Sequence, residues 1–445
     1  TLASTVTINA PSASVPQGVS EGTLASSWNY TIPGALMQPG LRVLADVDPA
    51  NAVAESSDGD NSFPSSGTPL ALDVRTVPAL SLRYVPVLQS VNGKQGGVTS
   101  GNAGQYATMT QQVYPVGTVD VDVRAPFTTN APALQADDGN GAWGQILSEV
   151  NALRTADGSS RYYMGIVKVG YSSGIAGLGY IGGRTSVGWD YLPSASEVIA
   201  HEIGHNFGRY HAPGCGAGNP DPSYPYAGGT IGAYGYDASL NKLLAPGAWY
   251  DLMSYCDSTW ISDYSYAAVL AHRAANPFIA TQGRWGGGMA VQRGLLVWGR
   301  VQRGQLILEP TFEVDAPPAL PPRPGPHRVQ GFGAAGEVLF DLSFAGDRVG
   351  DHPDATAEQF AFVVPYGMMQ GKAPVRVRAT GGGRQAELVA APLASGAPRG
   401  AASGAAEVPE VRQVQPGVVR VHWTSPGVHG VLVRDARTGA ILAFA

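Results

Sequence analysis

The spacing of apolar positions predicts three helices set among many short strands. Trp143, Ile146, Leu147, Val150 and Leu153 recur at intervals that share one helical face. A second helix is expected over 195–207: Val198, Ile199, Ile203 and Phe207 are apolar, and Ala200 and Gly204 are small enough for close packing. Ser194 and Glu197 have the spacing of a capping box at its start. A third is expected over 264–274, ending before Pro277. Alternating or β-branched runs at 85–87, 119–123, 162–169 and the glycine-rich 175–180 read as strands around these helices. Downstream, strands are expected at 295–298, 306–308, 338–342, 375–377, 418–423 and 431–433, and upstream at 41–47 and 70–74. The predicted class is α+β.

That distribution suggests three units: 1–82, 83–283 and 284–445. Residues 284–445 read as one or two β-sandwiches, with a proline-rich loop at 317–326 and a Gly/Ala/Ser-rich loop at 395–406. Trp298 and Trp423 could stack on sugars, although a strand tryptophan ordinarily packs in a core. Aspartates between 48 and 61 could hold calcium, but their spacing does not match an EF-hand loop, and a solvated hairpin loop is the plainer reading.

Residues 201–211 read HEIGHNFGRYH. On a helix, His201 and His205 project from one face. Gly208 lets the chain leave the helix with positive φ, and the turn brings His211 round as a third nitrogen ligand. Three neutral imidazoles leave one tetrahedral position of a zinc ion open, which is the pattern of a catalytic site. Glu202 lies beside the metal without having to bind it, so it can carry a proton as general base and then general acid. The expected reaction is peptide-bond hydrolysis without a covalent intermediate.

This extended motif resembles the zinc signature of the metzincin metallopeptidases. The resemblance implies a methionine turn beneath the metal, and Asp251-Leu252-Met253-Ser254-Tyr255-Cys256 supplies one with Met253 as an apolar floor. Tyr255, two residues on, matches a tyrosine that in some metzincins ligates zinc or stabilises the oxyanion; a packed aromatic is the alternative. The resemblance also implies substrate lying along a sheet edge, for which 175–180 is the candidate. It covers about 162–266. The Gly-, Pro- and Tyr-rich 212–237 departs from astacins and serralysins and is loosely similar to large secreted bacterial metzincins, mucin-cleaving ones included. Residues 1–82 loosely resemble Ig-like modules of bacterial exoproteins.

The chain has 445 residues, a net charge of −6 and only 14% charged residues, which argues against nucleic acid or an anionic membrane as main partner. No stretch is long and apolar enough to span a bilayer. The chain starts at Thr1 without a leader, so a removed signal peptide and a secreted protein are expected. The two cysteines, Cys215 and Cys256, flank segments that must converge near the metal; a disulfide is favoured over free thiols or further ligands. The reading is a secreted monomeric zinc endopeptidase acting on proteins or glycoproteins. The competing reading is a glycan- or protein-binding adhesin with an inactive peptidase domain, against which the intact Glu202 argues.

Overall fold

The computed structural model describes residues 2–9, 18, 20–276, 290–389, 410–415, 418–422 and 430–444. Its central sheet contains β1 (Leu80–Gln89), β2 (Val119–Val123), β3 (Phe127–Thr129), β4 (Tyr162–Val167), β5 (Gly177–Gly179) and β6 (Thr185–Trp189). Pairing is parallel from β2 and β3 through β1 and β4 to β6, and β5 closes the edge antiparallel to β6. β4 is buried throughout, and its pleat divides its side chains between two cores. Tyr162, Met164 and Ile166 enter one core with α1 (Ala103–Val113) and α3 (Ser194–Asn206). Tyr163 and Val167 enter the other with α2 (Ala142–Ala156). The third expected helix is α4 (Asp263–Ala275).

Two larger antiparallel sheets lie between residues 292 and 389. One contains β7 (Gln292–Gln302), β8 (Gln305–Leu308), β9 (Phe312–Ala316), β12 (Asp347–Arg348) and β13 (Glu358–Pro365). The other contains β10 (His327–Phe332), β11 (Val338–Phe344), β14 (Arg376–Gly381) and β15 (Arg384–Val389). Both contribute to one apolar core built around Val297, Val329, Phe344, Phe360 and Phe362. The outer face of the first sheet is apolar too: Leu296, Trp298, Phe312, Val314 and Val363 share the core that holds α2. Thirteen of the fifteen α2 residues are therefore buried, where the sequence predicted a helix with one apolar face. Gln359 Nε2 donates to the Gly144 carbonyl at 2.8 Å and helps fix the contact.

Trp298 belongs to this core. It is 3% exposed and donates from Nε1 to the Pro310 carbonyl, so it is not a sugar platform. Trp423 and the 395–406 run lie outside the described residues. Strands β16 (Leu432–Arg434) and β17 (Ile441–Phe444) return to the central sheet through β3, and Arg124 Nη1 donates to the Ile441 carbonyl at 2.6 Å. They join the central sheet rather than the unit expected at 284–445.

No Ig-like sandwich forms among the described residues before β1. Residues 20–79 hold two short 3₁₀ turns and two pairs of two-residue strands, and none of them is buried. Two alternating runs do not supply enough inward side chains to close a core, so Trp28, Leu44, Val53 and Phe63 stay exposed. The expected boundary at 82 falls inside β1. The aspartates at 48–61 make local turns, with Asp48 Oδ2 accepting from the Val53 N–H. Among the described residues they form no convergent ligand group.

Cys215 and Cys256 form the expected disulfide, closing a loop of 41 residues. A loop of that length restricts the unfolded chain by about 4 kcal/mol in the chain-entropy description. The Cys215→Ala/Cys256→Ala double variant is expected to melt several degrees below the parent under non-reducing conditions, and the gap should vanish when both are reduced.

Glu149 is sealed within α2, and burial pushes its carboxyl up to about 7 from the ordinary 4.5. A carboxyl whose pKa rises on folding favours the folded state below pH 4.5, and that contribution is lost as pH climbs toward 7. Glu149→Gln should therefore raise the melting temperature at pH 8 and change it little at pH 4.5, as followed by circular dichroism. An equal shift at both pH values would contradict the assignment.

Candidate metal centre

Helix α3 carries the motif, and the bonds that end it set the third histidine. The Gly208 N–H donates to the His205 carbonyl at 2.8 Å and the Arg209 N–H to the Gly204 carbonyl at 3.0 Å, a Schellman arrangement. Gly208 has the expected positive φ of 83°. The start of the helix differs from expectation. Ser194 Oγ donates to the Tyr191 carbonyl, and Glu197 accepts from Thr259 Oγ1, so no capping box forms. Thr259 takes Glu197 away from the helix terminus because the segment after the methionine turn packs there.

The three imidazoles face one another, with ring centroids 4.9 to 5.4 Å apart. Each Nδ1 meets a backbone carbonyl: His201 that of Leu252 at 2.7 Å, His205 that of Arg209 at 2.7 Å, and His211 that of Gly218. A carbonyl can only accept, so each Nδ1 carries a proton and each Nε2 is turned toward the common centre. Those three Nε2 atoms converge on Asp351, at 3.1 Å from His201, 2.8 Å from His205 and 2.8 Å from His211. The His201 and His211 contacts lack hydrogen-bond alignment, leaving two buried nitrogens unsatisfied. Donor atoms of the four residues lie within 4.8 Å of one another, the spread a single metal ion would bridge.

Electrostatics fit this clustering. Burial alone would raise Asp351, but His201 and His205 outweigh it and hold its carboxyl well below the usual range. Burial disfavours charged His201, yet Asp351 outweighs burial and raises that imidazole; at His205 burial wins and the pKa falls. Burial, then the Asp351 charge, pushes Glu202 well above the ordinary carboxyl range.

The 251–256 segment, expected as a methionine turn, packs against α3. Asp251 is fully buried: Oδ1 accepts from the Met253 N–H at 2.8 Å and Oδ2 from the Ser262 N–H at 3.0 Å. The Ala212 N–H donates to the Met253 carbonyl, tying the turn to the segment carrying His211. Met253 is 1% exposed and presses on the helix at Gly204, where a Cβ would lie 2.3 Å from its sulfur. Tyr255 reaches the same centre, its hydroxyl hydrogen-bonded to Asp351 and its ring 5.0 Å from His211.

Glu202 is 2% exposed and lies against β5; side chains at Gly177 or Gly179 would collide with it. The glycines of the expected substrate edge thus make room for the carboxylate. Asn206 joins α3 to that edge by donating to the Tyr180 and Thr185 carbonyls. The structure therefore assembles every motif residue named from the sequence. It adds Asp251 and Asn206, whose roles are set by partners outside the motif. It also adds Asp351, which comes 140 residues after His211 and belongs to no motif.

None of the curated proteins matches the chain. Among solved structures, metalloproteinase-II from Bacteroides fragilis is similar at 12% identity and a TM-score of 0.24, covering 44% of this chain and 53% of that one. A chaperone–substrate complex is similar at 12% identity and a TM-score of 0.25, covering 46% and 37%. The chain thus spans about half the first structure's length, and overlaps this loose support neither a fold assignment nor an activity. The family model described as Peptidase M66 matches residues 25–259, more than half of the chain and the whole of the metal centre except Asp351. That match covers the buried three-histidine cluster, and the chain belongs to the peptidase M66 family.

Proposed function

We propose that this member of the M66 family is a secreted zinc metalloendopeptidase with a metzincin-like active site. The observation that carries the reading is the set of three Nδ1–carbonyl contacts, which aims three Nε2 atoms at one point. His201, His205 and His211 would hold the ion. When bound, zinc supplies Lewis acidity, polarising the scissile carbonyl and bringing the pKa of water down to roughly 7.

The chain's own groups do the rest. Glu202, held against β5 with Oε2 unpartnered, takes the proton of the attacking water and delivers it to the leaving amine. The Tyr255 hydroxyl donates to the oxygen that gains charge in the transition state. Met253 keeps water from beneath the imidazoles. The disulfide accords with an extracellular setting, and no described helix is long and apolar enough to cross a membrane.

O-glycosylated proteins are the proposed substrate class. Tyr234 and Tyr236, from the segment after the motif, and Tyr266, from α4, are exposed, which suits contact with sugar faces.

Glu202→Gln should bind zinc at one equivalent while kcat/KM on casein falls by about 10² to 10⁴. Retained hydrolysis would remove Glu202 from the proton transfer, and chelator-insensitive hydrolysis by the parent would remove the metal. Tyr255→Phe should lower kcat with zinc content and KM little changed. An O-glycosylated peptide should be cut faster than its bare counterpart. Equal rates on the two peptides would end the glycoprotein assignment and leave the peptidase intact.

A further inference from the structure

Asp351 reaches the metal centre on a segment that does more than deliver a carboxylate. After β12 the chain runs along the outer edge of β5. The Ile181 N–H donates to the Arg348 carbonyl at 2.9 Å, and the Gly350 N–H donates to the Gly179 carbonyl at 2.8 Å. Tyr180 and Val349 pair as an antiparallel bridge between these bonds. β5 is the last strand of its sheet, so this is the edge to which an extended peptide would add beside the three histidines. The chain fills that edge with its own backbone.

The segment is shaped to its place. Gly350 lies on the His205 imidazole, where a Cβ would come within 2.7 Å of the ring. Asp351 turns through a left-handed conformation, φ 59°, unusual for a residue with a side chain. Its carboxylate then meets all three Nε2 atoms and the Tyr255 hydroxyl. His352 is 6% exposed and plugs the start of α2, within 3.1 Å of Gln302 Nε2 and 3.6 Å of the Asp138 carboxylate. Behind it the Ala357 carbonyl accepts from the Val349 N–H, and Asp354 accepts from the Arg303 N–H at 2.7 Å.

We propose that Asp351 is a fourth ligand of the metal and that residues 348–351 occupy the substrate strand, so that the enzyme is held closed by its own C-terminal sheet. The proposal rests on the three histidines holding the ion. Three imidazoles and one carboxylate complete a tetrahedral shell, and a completed shell has no position for water or a scissile carbonyl. A peptide that pairs with Gly179 and Ile181 must first displace Arg348 and Gly350 from the same backbone groups. Catalysis therefore requires this segment to leave both the edge and the metal. The apparent activity is scaled by the fraction of molecules in which it has left.

The test uses the full chain loaded with Co²⁺, with azide as a small competing ligand. In the parent the visible Co²⁺ bands should match a four-coordinate His₃-carboxylate site and ignore azide. In Asp351→Ala and in the near-isosteric Asp351→Asn, which guards against loss of folding, azide should shift the bands. With zinc, both variants should cleave an unstructured casein peptide at least about tenfold faster than the parent, as expected where the open form is a tenth of the population or less. A parent that responds to azide as the variants do, or variants no faster than a fully active parent, would overturn the closure. Azide-responsive variants without hydrolysis would instead support the closed shell and defeat the peptidase reading, so the two failures are distinguishable.

Discussion

Everything at the metal centre depends on three backbone carbonyls accepting from three imidazole Nδ1–H groups. A histidine free to rotate offers either nitrogen in either tautomer. Here the Leu252, Arg209 and Gly218 carbonyls fix both choices. These oxygens come from the methionine turn, the end of α3 and the loop before the parallel bridge at Pro220. The site is thus assembled by the segments around the helix. Asp251 holds the turn, the Schellman bonds place Arg209, and the Cys215–Cys256 disulfide joins the loop to the turn. Loss of any one support would release one ring from its orientation while the sequence motif stayed intact.

The motif was legible because its geometry is local. Positions four apart share a helix face, and Gly208 ends the helix through its own φ, so HEIGHNFGRYH fixes three rings to within a turn of chain. The cysteines were legible for a related reason, since both lie within a few residues of segments the motif already brings together. Glu197 shows the limit of such reasoning. Its spacing from Ser194 suits a capping box, but Thr259 offers a hydroxyl to the same carboxylate, and the tertiary bond prevails.

Longer-range features left weaker traces. The α2 pattern shows Trp143, Ile146, Leu147, Val150 and Leu153 on one face, yet the opposite face is covered by a sheet more than 130 residues downstream. The small or neutral residues there, Gly144, Ser148 and Ala152, permit that burial without announcing it. Glu149 conceals it further, because a glutamate in a helix usually marks the solvent side. The segment before β1 misled in the opposite direction. Alternation at 41–47 and 70–74 suggested a sandwich, but periodicity reports only that a strand could present one face, and nothing among the described residues there supplies the second layer.

Asp351 joins these two scales. Its position is set by β12 and β13, which are strands of the sheet packed on α2, and by His352 seated at the start of that same helix. The face of α2 toward the central sheet shares a core with Val187 of β6, the strand that pairs β5, and β5 accommodates Glu202. One buried helix therefore sets the distance between the motif and the carboxylate that meets it. An aspartate on an independently mobile module would sample the metal centre only at the low effective concentration a flexible tether allows. Mounted on a sheet that shares its core with the central sheet, it is held at contact distance, and its departure would have to disturb either the His352 seat or the pairing with Gly179 and Ile181. The closure is thereby coupled to how the C-terminal sheet packs on α2, a contact made wholly of residues outside the motif.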